Sequence, residues 1–281
     1  MLVVAAMGAF DRAARAVIAR FRSPRPLALA LVLTTAGLSC VATNDMALIM
    51  MLPLSAATLM GANLPRLVAP VFVLQSLAAN LCGMIVPFGN PQNLYLYSYY
   101  GLGLGDFLAT MALPFALSTI SIVACTWWLC GRTDSSSPSD TRNLAMPMPL
   151  GRRRLAAYGL LFALTLLAVF RIVSAAVATV AAALAALDRR ALAAVDWGLL
   201  ATFACFFVFA GNMARVPEVS AWLSPLMADH GLWVSAGLSQ IISNVPAAVL
   251  LSHFTGAWQP LLVGVNIGGA GTLVGSLASL I

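Results

Sequence analysis

Lysine does not occur among the 281 residues, and only 9% of the chain carries charge. All fifteen positive charges are arginine, so the formal net charge of +6 comes from short arginine clusters between apolar segments. Such clusters mark the cytoplasmic side of a membrane protein and exclude a nucleic-acid groove as the reading. No HExxH occurs, and Cys40, Cys82, Cys125, Cys130 and Cys205 lack metal-type spacing, which removes zinc and leaves the thiols as small apolar packing groups. The N-terminus reads Met-Leu-Val-Val-Ala-Ala with its charges after the apolar stretch, the reverse of a signal peptide.

Apolar residues, in contrast, make up 61% of the chain, and the mean hydropathy is +0.94. A water-soluble domain of this size has no interior large enough for that surface. The apolar runs have spanning length and no period of two, so the fold class expected is an all-α polytopic membrane protein in the inner (cytoplasmic) membrane, crossing the bilayer several times.

Polar breaks inside these runs repeat. Thr43-Asn44-Asp45 is followed by a Gly/Asn-bearing break over residues 80–93, and Ser243-Asn244-Val245-Pro246 by another over 266–279. Asn80, Gly83 and Gly89 fall on Asn266, Gly269 and Gly275 at one constant offset, the mark of an internal repeat. Residues 1–130 form the first repeat, 131–154 a Ser/Pro- and Arg-rich cytoplasmic linker, and 155–281 the second repeat, which ends without a polar tail.

In chain order, residues 8–22 read as an amphipathic interfacial helix. Pro26 to Val41 is 16 residues long, about 24 Å as a helix and short of a hydrocarbon core of roughly 30 Å. With Met46 to Met60 it reads as a re-entrant hairpin with its tip at Asn44, entering and leaving by the arginine-bearing face. Leu67 to Val86 follows, and Pro87 to Asn93 is expected to be irregular, because Pro91 lacks a donor and Gly89 favours unusual torsions. Tyr95, Tyr97, Tyr99 and Tyr100 suggest an interfacial aromatic cluster. Residues 106–130, 155–170, 172–187 and 196–211 read as spans, and 215–230 as a second interfacial stretch. Residues 231–255 form the second hairpin, with its tip at 243–246, and 259–281 the second broken span. Counting crossings makes the two repeats inverted, with thirteen arginines inside and two, Arg171 and Arg215, outside.

Inverted repeats that bring discontinuous helices to mid-membrane are the construction principle of many secondary transporters. Helix N-termini at the breaks attract an anion, while freed carbonyls and Asn or Ser oxygens hold a hard cation. The candidate site residues are Thr43, Asn44, Asp45, Gly89, Asn90, Pro91, Asn93, Ser243, Asn244, Val245, Asn266, Gly275, Ser276 and Ser279, with Asn44 and Asn244 as candidate Na⁺ ligands. The expected partners are the lipid bilayer, a small anionic solute and a coupling ion, Na⁺ or H⁺, with no other cofactor and no nucleic acid.

The segments TNDMALIMMLPL, GNPQNL, SNVPAAVLL and NIGGAGTLVGSLASLI resemble the citrate-transporter-like permeases of the ion transporter superfamily. That group includes divalent-anion:sodium symporters, arsenite/antimonite permeases and a sodium/proton antiporter branch. The resemblance covers nearly the whole chain. It implies that hairpin tips and helix breaks form the ion and substrate sites, and that the core moves in an elevator-like manner within a homodimer. The dicarboxylate symporters carry Ser-Asn-Thr at both tips, whereas this chain carries Thr-Asn-Asp and Ser-Asn-Val-Pro. Arsenite efflux and Na⁺/H⁺ exchange are accordingly alternatives to anion symport. Opening helices and a closing helix of the family pattern are not found, so the chain is expected to be a fragment, C-terminally incomplete.

Asp45 is the acidic residue that this topology buries deepest. It reads as a protonatable or Na⁺-linked carboxylate, with a helix cap as the plainer role. Asn90, Gln92 and Asn93 are either ligands or partners for broken backbone. Gln75 and Gln240 read as interhelical hydrogen bonders, and His253, in the returning arm of the second hairpin, as a packing residue. Gly103-Leu104-Gly105-Asp106 spells GxGD, the signature of intramembrane aspartyl proteases. An N-cap role for Asp106 is simpler, and no enzymatic activity is expected.

Overall fold

The computed structural model describes residues 23–132, 160, 197–272 and 275–276. The interfacial helix expected at 8–22, most of the linker, the spans expected at 155–187 and Ser279 lie outside the described residues. The chain divides into two compact units, residues 1–13 with 145–204, and 14–144 with 205–281. Of the first unit only Leu160 and residues 197–204 are described, so the account below concerns the second.

Among the described residues the regular structure is helical. Helix α1 (Pro24–Ser39) opens on a proline, which the first turn tolerates because its missing donor has no acceptor there. Four residues later α2 (Asn44–Gly61) begins and packs back against α1, and both pack on α3 (Val68–Gly83). Residues 84–90 form the first break, and α4 (Pro91–Tyr99) follows it. Helix α5 (Leu104–Leu129) is 26 residues long. The later helices are α6 (Trp197–Met213), α7 (Pro217–Ile242), α8 (Asn244–Leu251) and α9 (Trp258–Gly268).

Three stretches of the described residues are long and apolar enough to cross a membrane: Asn44–Gly61, Pro65–Gly83 and Leu104–Leu129. Leu113 and Ile120 on α5 are each 66% exposed. An apolar face of that kind is unfavourable in water and compatible with lipid.

The stretches on either side of the linker share one core in this unit. Met84 and Tyr97, from around the first break, pack with Phe107 and Met111 of α5, Met227 of α7 and Leu251 of α8. Helix α9 lies against α7 through Gly264 and Gly268, a GxxxG spacing; a Cβ on Gly268 would run into the Ala236 carbonyl. Small residues at that spacing let two helix backbones approach closely. The close approach brings Gln240 within reach of the end of α9.

Helix α7 is bent at His230, whose φ of −133° and ψ of 28° leave the helical region. This is the boundary expected between the second interfacial stretch and the arm beginning at Gly231. Three local expectations are corrected. Pro91, Gln92 and Asn93 are not irregular: they are the first turn of α4, where proline at the first position forfeits no bond. Asp106 is not the N-cap of α5; Gly103 is, and Asp106 follows in the first turn. His253 lies beyond α8, which ends at Leu251.

Candidate ion and solute site at the two helix breaks

The two breaks are built alike at the backbone. The N–H of Asn44, at the start of α2, donates to the carbonyl of Gly89 at 3.2 Å. The N–H of Asn244, at the start of α8, donates to the carbonyl of Gly275 at 2.9 Å. Each helix start is thereby tied to the glycine that closes the neighbouring break. Glycine is required at both places, because a Cβ on Gly89 would collide with the Gly83 carbonyl and one on Gly275 would come within 2.9 Å of the Gly268 carbonyl. Ser243, between α7 and α8, adopts φ 76° and ψ 153°, a conformation that non-glycine residues adopt at a cost of order 1–3 kcal/mol.

Two asparagines at equivalent positions of the breaks act as hubs. Asn80 on α3 is anchored by Nδ2, which donates to the Ser76 carbonyl at 3.2 Å. That leaves its Oδ1 to accept from Asn44 Nδ2 at 2.9 Å and from Ser276 Oγ at 2.8 Å. Asn266 on α9 is anchored by Nδ2 on the Leu262 carbonyl at 2.8 Å, and the same nitrogen donates to Asn93 Oδ1 at 2.6 Å. Its Oδ1 accepts from Gln92 Nε2 at 3.1 Å and Asn90 Nδ2 at 3.4 Å. Asn93 donates in turn to the carbonyls of Met84 and Val86, satisfying acceptors that the broken helix leaves open. Backbone carbonyls thus dictate which end of the hub amides is nitrogen, and the orientation of their partners follows.

What remains after this pairing is all oxygen. Asp45 Oδ1, Asn90 Oδ1 and Gln92 Oε1 are buried without a hydrogen-bond partner. A carboxylate or amide oxygen is satisfied only by a donor or a cation, and leaving it buried and unpaired costs about 1–3 kcal/mol. Asn90 Oδ1 and the Ser39 carbonyl both lie beside Gly83, 3.3 and 3.2 Å from where a Cβ would stand. A Cβ on Gly83 would press on both, and they would have to give by a few tenths of an ångström.

The citrate transporter family model matches residues 1–268. The chain belongs to this family. It is 33% identical over 279 residues to the inner membrane protein YbiR of Escherichia coli K12, covering 98% of this chain and 73% of that protein. It is also 33% identical over 256 residues to the uncharacterized transporter MJ0456 of Methanocaldococcus jannaschii, covering 90% of this chain and 69% of that one.

Within this transporter-family fold, the residues singled out from sequence gather unevenly. Asn44, Asn90, Asn93, Asn266 and Ser276 are in the network together with the backbone of Gly89 and Gly275, and Pro91 starts the helix that carries Gln92 and Asn93. Thr43 is the exposed residue before α2, with no side-chain cap bond. Asn44 has both ends of its amide engaged, since its Oδ1 accepts from the Asp45 N–H at 2.9 Å while its Nδ2 serves Asn80. Asn244 is buried beside Gly269, and Val245 follows it in the first turn of α8.

Two residues outside the candidate set prove central. Asn80 bridges the two breaks, and its signal was in the sequence: it stands at the same offset as Asn266. Gln92, which the sequence left as either a ligand or a partner for broken backbone, carries one of the unpaired oxygens. Apart from the breaks, Gln75 on α3 donates to Thr35 and Ser55, at 2.8 Å each, and so ties both arms of the first helix pair together. Of the four tyrosines, Tyr97 is buried against Phe107, while Tyr95 and Tyr100 bond to Ser252 and Thr255 just past α8. His253 Nδ1 there donates to the Val249 carbonyl at 2.9 Å, and its ring lies 5.6 Å from that of Tyr99.

Proposed function

We propose that the chain is a cation-coupled secondary transporter of a small anionic solute, working in the inner membrane as the family resemblance implies. The observation that carries this reading is the pair of unpaired buried oxygens on Asn90 and Gln92, whose amide nitrogens both donate to Asn266 Oδ1 where two interrupted helices meet, with a further unpaired oxygen on Asp45 in the first turn of α2. Oxygen acceptors without donors suit a hard cation, Na⁺ in the first instance. Asn90 Oδ1 and the Ser39 carbonyl beside Gly83 would be the ligands, with Asn44 and Asn80 holding the geometry. Asn244 in the second break is the remaining candidate ligand.

The starts of α2, α4 and α8 supply N–H groups, and a bound cation adds positive charge. Together these favour an anion as the transported species. Membership of the citrate transporter family and likeness to a protein named as a transporter support movement of a solute as the chemistry.

The matching bonds from Asn44 to Gly89 and from Asn244 to Gly275 support two repeats of one design, residues 1–130 and 155–281. The arginine distribution supports their inversion, with the helix pair 24–61 and the pair 231–251 re-entering from opposite faces and the linker 131–154 cytoplasmic. Alternating access would then move the two breaks as one body, since Asn80 to Ser276 and Asn266 to Asn93 tie them together. The elevator movement and the homodimer follow from the family resemblance.

The deciding experiment reconstitutes the chain in proteoliposomes and measures uptake of citrate, C4 dicarboxylates and arsenite, with and without Na⁺ and pH gradients. Gradient-driven flux of an organic anion is expected. Arsenite flux alone, or Na⁺/H⁺ exchange without solute, would move the protein to the corresponding alternative. No gradient-driven flux of any kind would refute the reading.

A further inference from the structure

The two helix pairs turn over at equivalent residues in different ways. Helix α1 ends at Ser39 and α2 begins at Asn44, so the first tip spreads its turn over residues 40–43. There the N–H groups of Val41 and Ala42 fold back onto the Leu38 carbonyl at 3.0 and 2.7 Å. Helix α7 instead runs to Ile242 and α8 begins at Asn244, which leaves Ser243 alone to link them. Thr43 and Ser243 stand at the same place before the paired asparagines. Their ψ values nearly agree, 157° and 153°, while their φ values have opposite sign, −73° and 76°. Thr43 is relaxed extended backbone; Ser243 occupies a region that is almost reserved for glycine, because a Cβ there crowds the adjoining peptide groups.

The extra turn of α7, residues 240–242, is thus wound against local strain, and contacts from the second break hold it. Gln240 Nε2 donates to the Gly268 carbonyl at 2.7 Å and to the Ala270 carbonyl at 2.8 Å. Thr272 Oγ1 donates to the Gln240 carbonyl at 3.2 Å, one of the last carbonyls of α7, which have no partner within the helix. In the first repeat the place of Gln240 is taken by Cys40, which carries no amide, and α1 has already ended there. We propose that the last turn of α7 is a spring-loaded gate at the second break. It is wound while Gln240 grips the end of α9, and it unwinds to the relaxed four-residue form that the first tip shows when that grip is lost. Unwinding carries Ser243 to negative φ and loosens the start of α8, whose Asn244 N–H is tied to the Gly275 carbonyl at 2.9 Å. The strain sets the direction, since opening relieves it and the contacts from residues 268–272 oppose it.

This inference goes beyond the cation-coupled reading and names no ion, so the two fail independently. The test is amide hydrogen exchange, read by mass spectrometry on the purified full chain in micelles, for the wild type, Ser243→Gly, Ser243→Ala, Gln240→Leu and Thr43→Gly. Glycine accepts positive φ without strain. Exchange at Ile241 and Ile242 is expected to slow about threefold to thirtyfold in Ser243→Gly, the strain relieved less the freedom that glycine adds to the open form. Ser243→Ala keeps the Cβ and should exchange like the wild type. Gln240→Leu loses the grip and should exchange faster at the same amides. Thr43→Gly relieves no strain, so exchange at Val41 and Ala42 should stay the same or quicken. Unchanged or faster exchange in Ser243→Gly would overturn the proposal, as would equal slowing in Ser243→Ala, which would assign the effect to the hydroxyl. Unchanged exchange in Gln240→Leu would show that the amide does not hold the turn and would overturn it too.

Discussion

The bond between Asn80 and Ser276 spans 196 positions in the chain and joins the two breaks directly, at 2.8 Å. Replacing Asn80 by Ala removes the acceptor for Ser276 Oγ and for Asn44 Nδ2, both at buried positions. The two lost bonds, with the Asn44 amide donor left unpaired at about 1–3 kcal/mol and the effect softened by the readiness of membrane-embedded groups to find other partners, give a destabilisation of about 2–4 kcal/mol. Ser276→Ala removes one donor and is expected to cost about 1 kcal/mol. If the bond exists, the double variant is milder than the sum of the singles by about 0.6–1.7 kcal/mol, the range found for interhelical bonds in membranes. Equilibrium unfolding of the four proteins in mixed micelles measures this coupling. Additivity within about 0.3 kcal/mol would mean that the breaks do not touch there, and the shared-site argument would fall with it.

Further outcomes follow from the same geometry. Asp45→Asn keeps the size of the side chain but removes its charge, and it should flatten the pH or Na⁺ dependence of transport; an unchanged profile refutes a coupling role. Asn90→Leu removes one unpaired oxygen together with the Nδ2 bonds to the Asn80 carbonyl and Asn266 Oδ1, so gradient-driven flux should fall at least tenfold, equivalent to about 1.4 kcal/mol, with a stability loss of about 1–2 kcal/mol. Gly268→Val pushes a branched side chain into the Ala236 carbonyl and should destabilise by about 1–3 kcal/mol or more; a protein of unchanged stability would show that α7 and α9 are not packed this closely. Tyr100→Phe loses bonds to the carbonyls of Ser252 and Thr255 and should cost about 1 kcal/mol in thermal unfolding, while transport in folded protein is retained.

Much of the helix layout was legible before any coordinates, because membrane helices announce themselves through long apolar runs and their interruptions through asparagine, glycine and proline. The start of α2 at Asn44, the bend of α7 at His230 and the end of α9 two residues past Asn266 all lie where polar or small residues interrupt those runs. The errors were local. Pro91 looked like a reason for irregular backbone and turned out to be a helix start, since a missing N–H disrupts a helix interior and leaves its first turn unharmed. Asn80 served only to mark the repeat, although its partner at the same offset, Asn266, was already a candidate.

By itself, the sequence determined the helical membrane class and the two polar interruptions with their equivalent spacing, and it picked out Asn44, Asn90, Asn93, Asn266 and Ser276, which share one hydrogen-bond network. These depend on composition and on distances along the chain. Which amide faces which carbonyl depends on how helices far apart in sequence pack, and only the tertiary structure decided it. It showed that Asn90 and Gln92 are left with unpaired oxygens because Asn266 takes their nitrogens. It also showed that Gln240, an ordinary interhelical glutamine by its position, lays its nitrogen across the carbonyls of Gly268 and Ala270. Glycines at 264 and 268 let α7 and α9 come close enough for that side chain to reach.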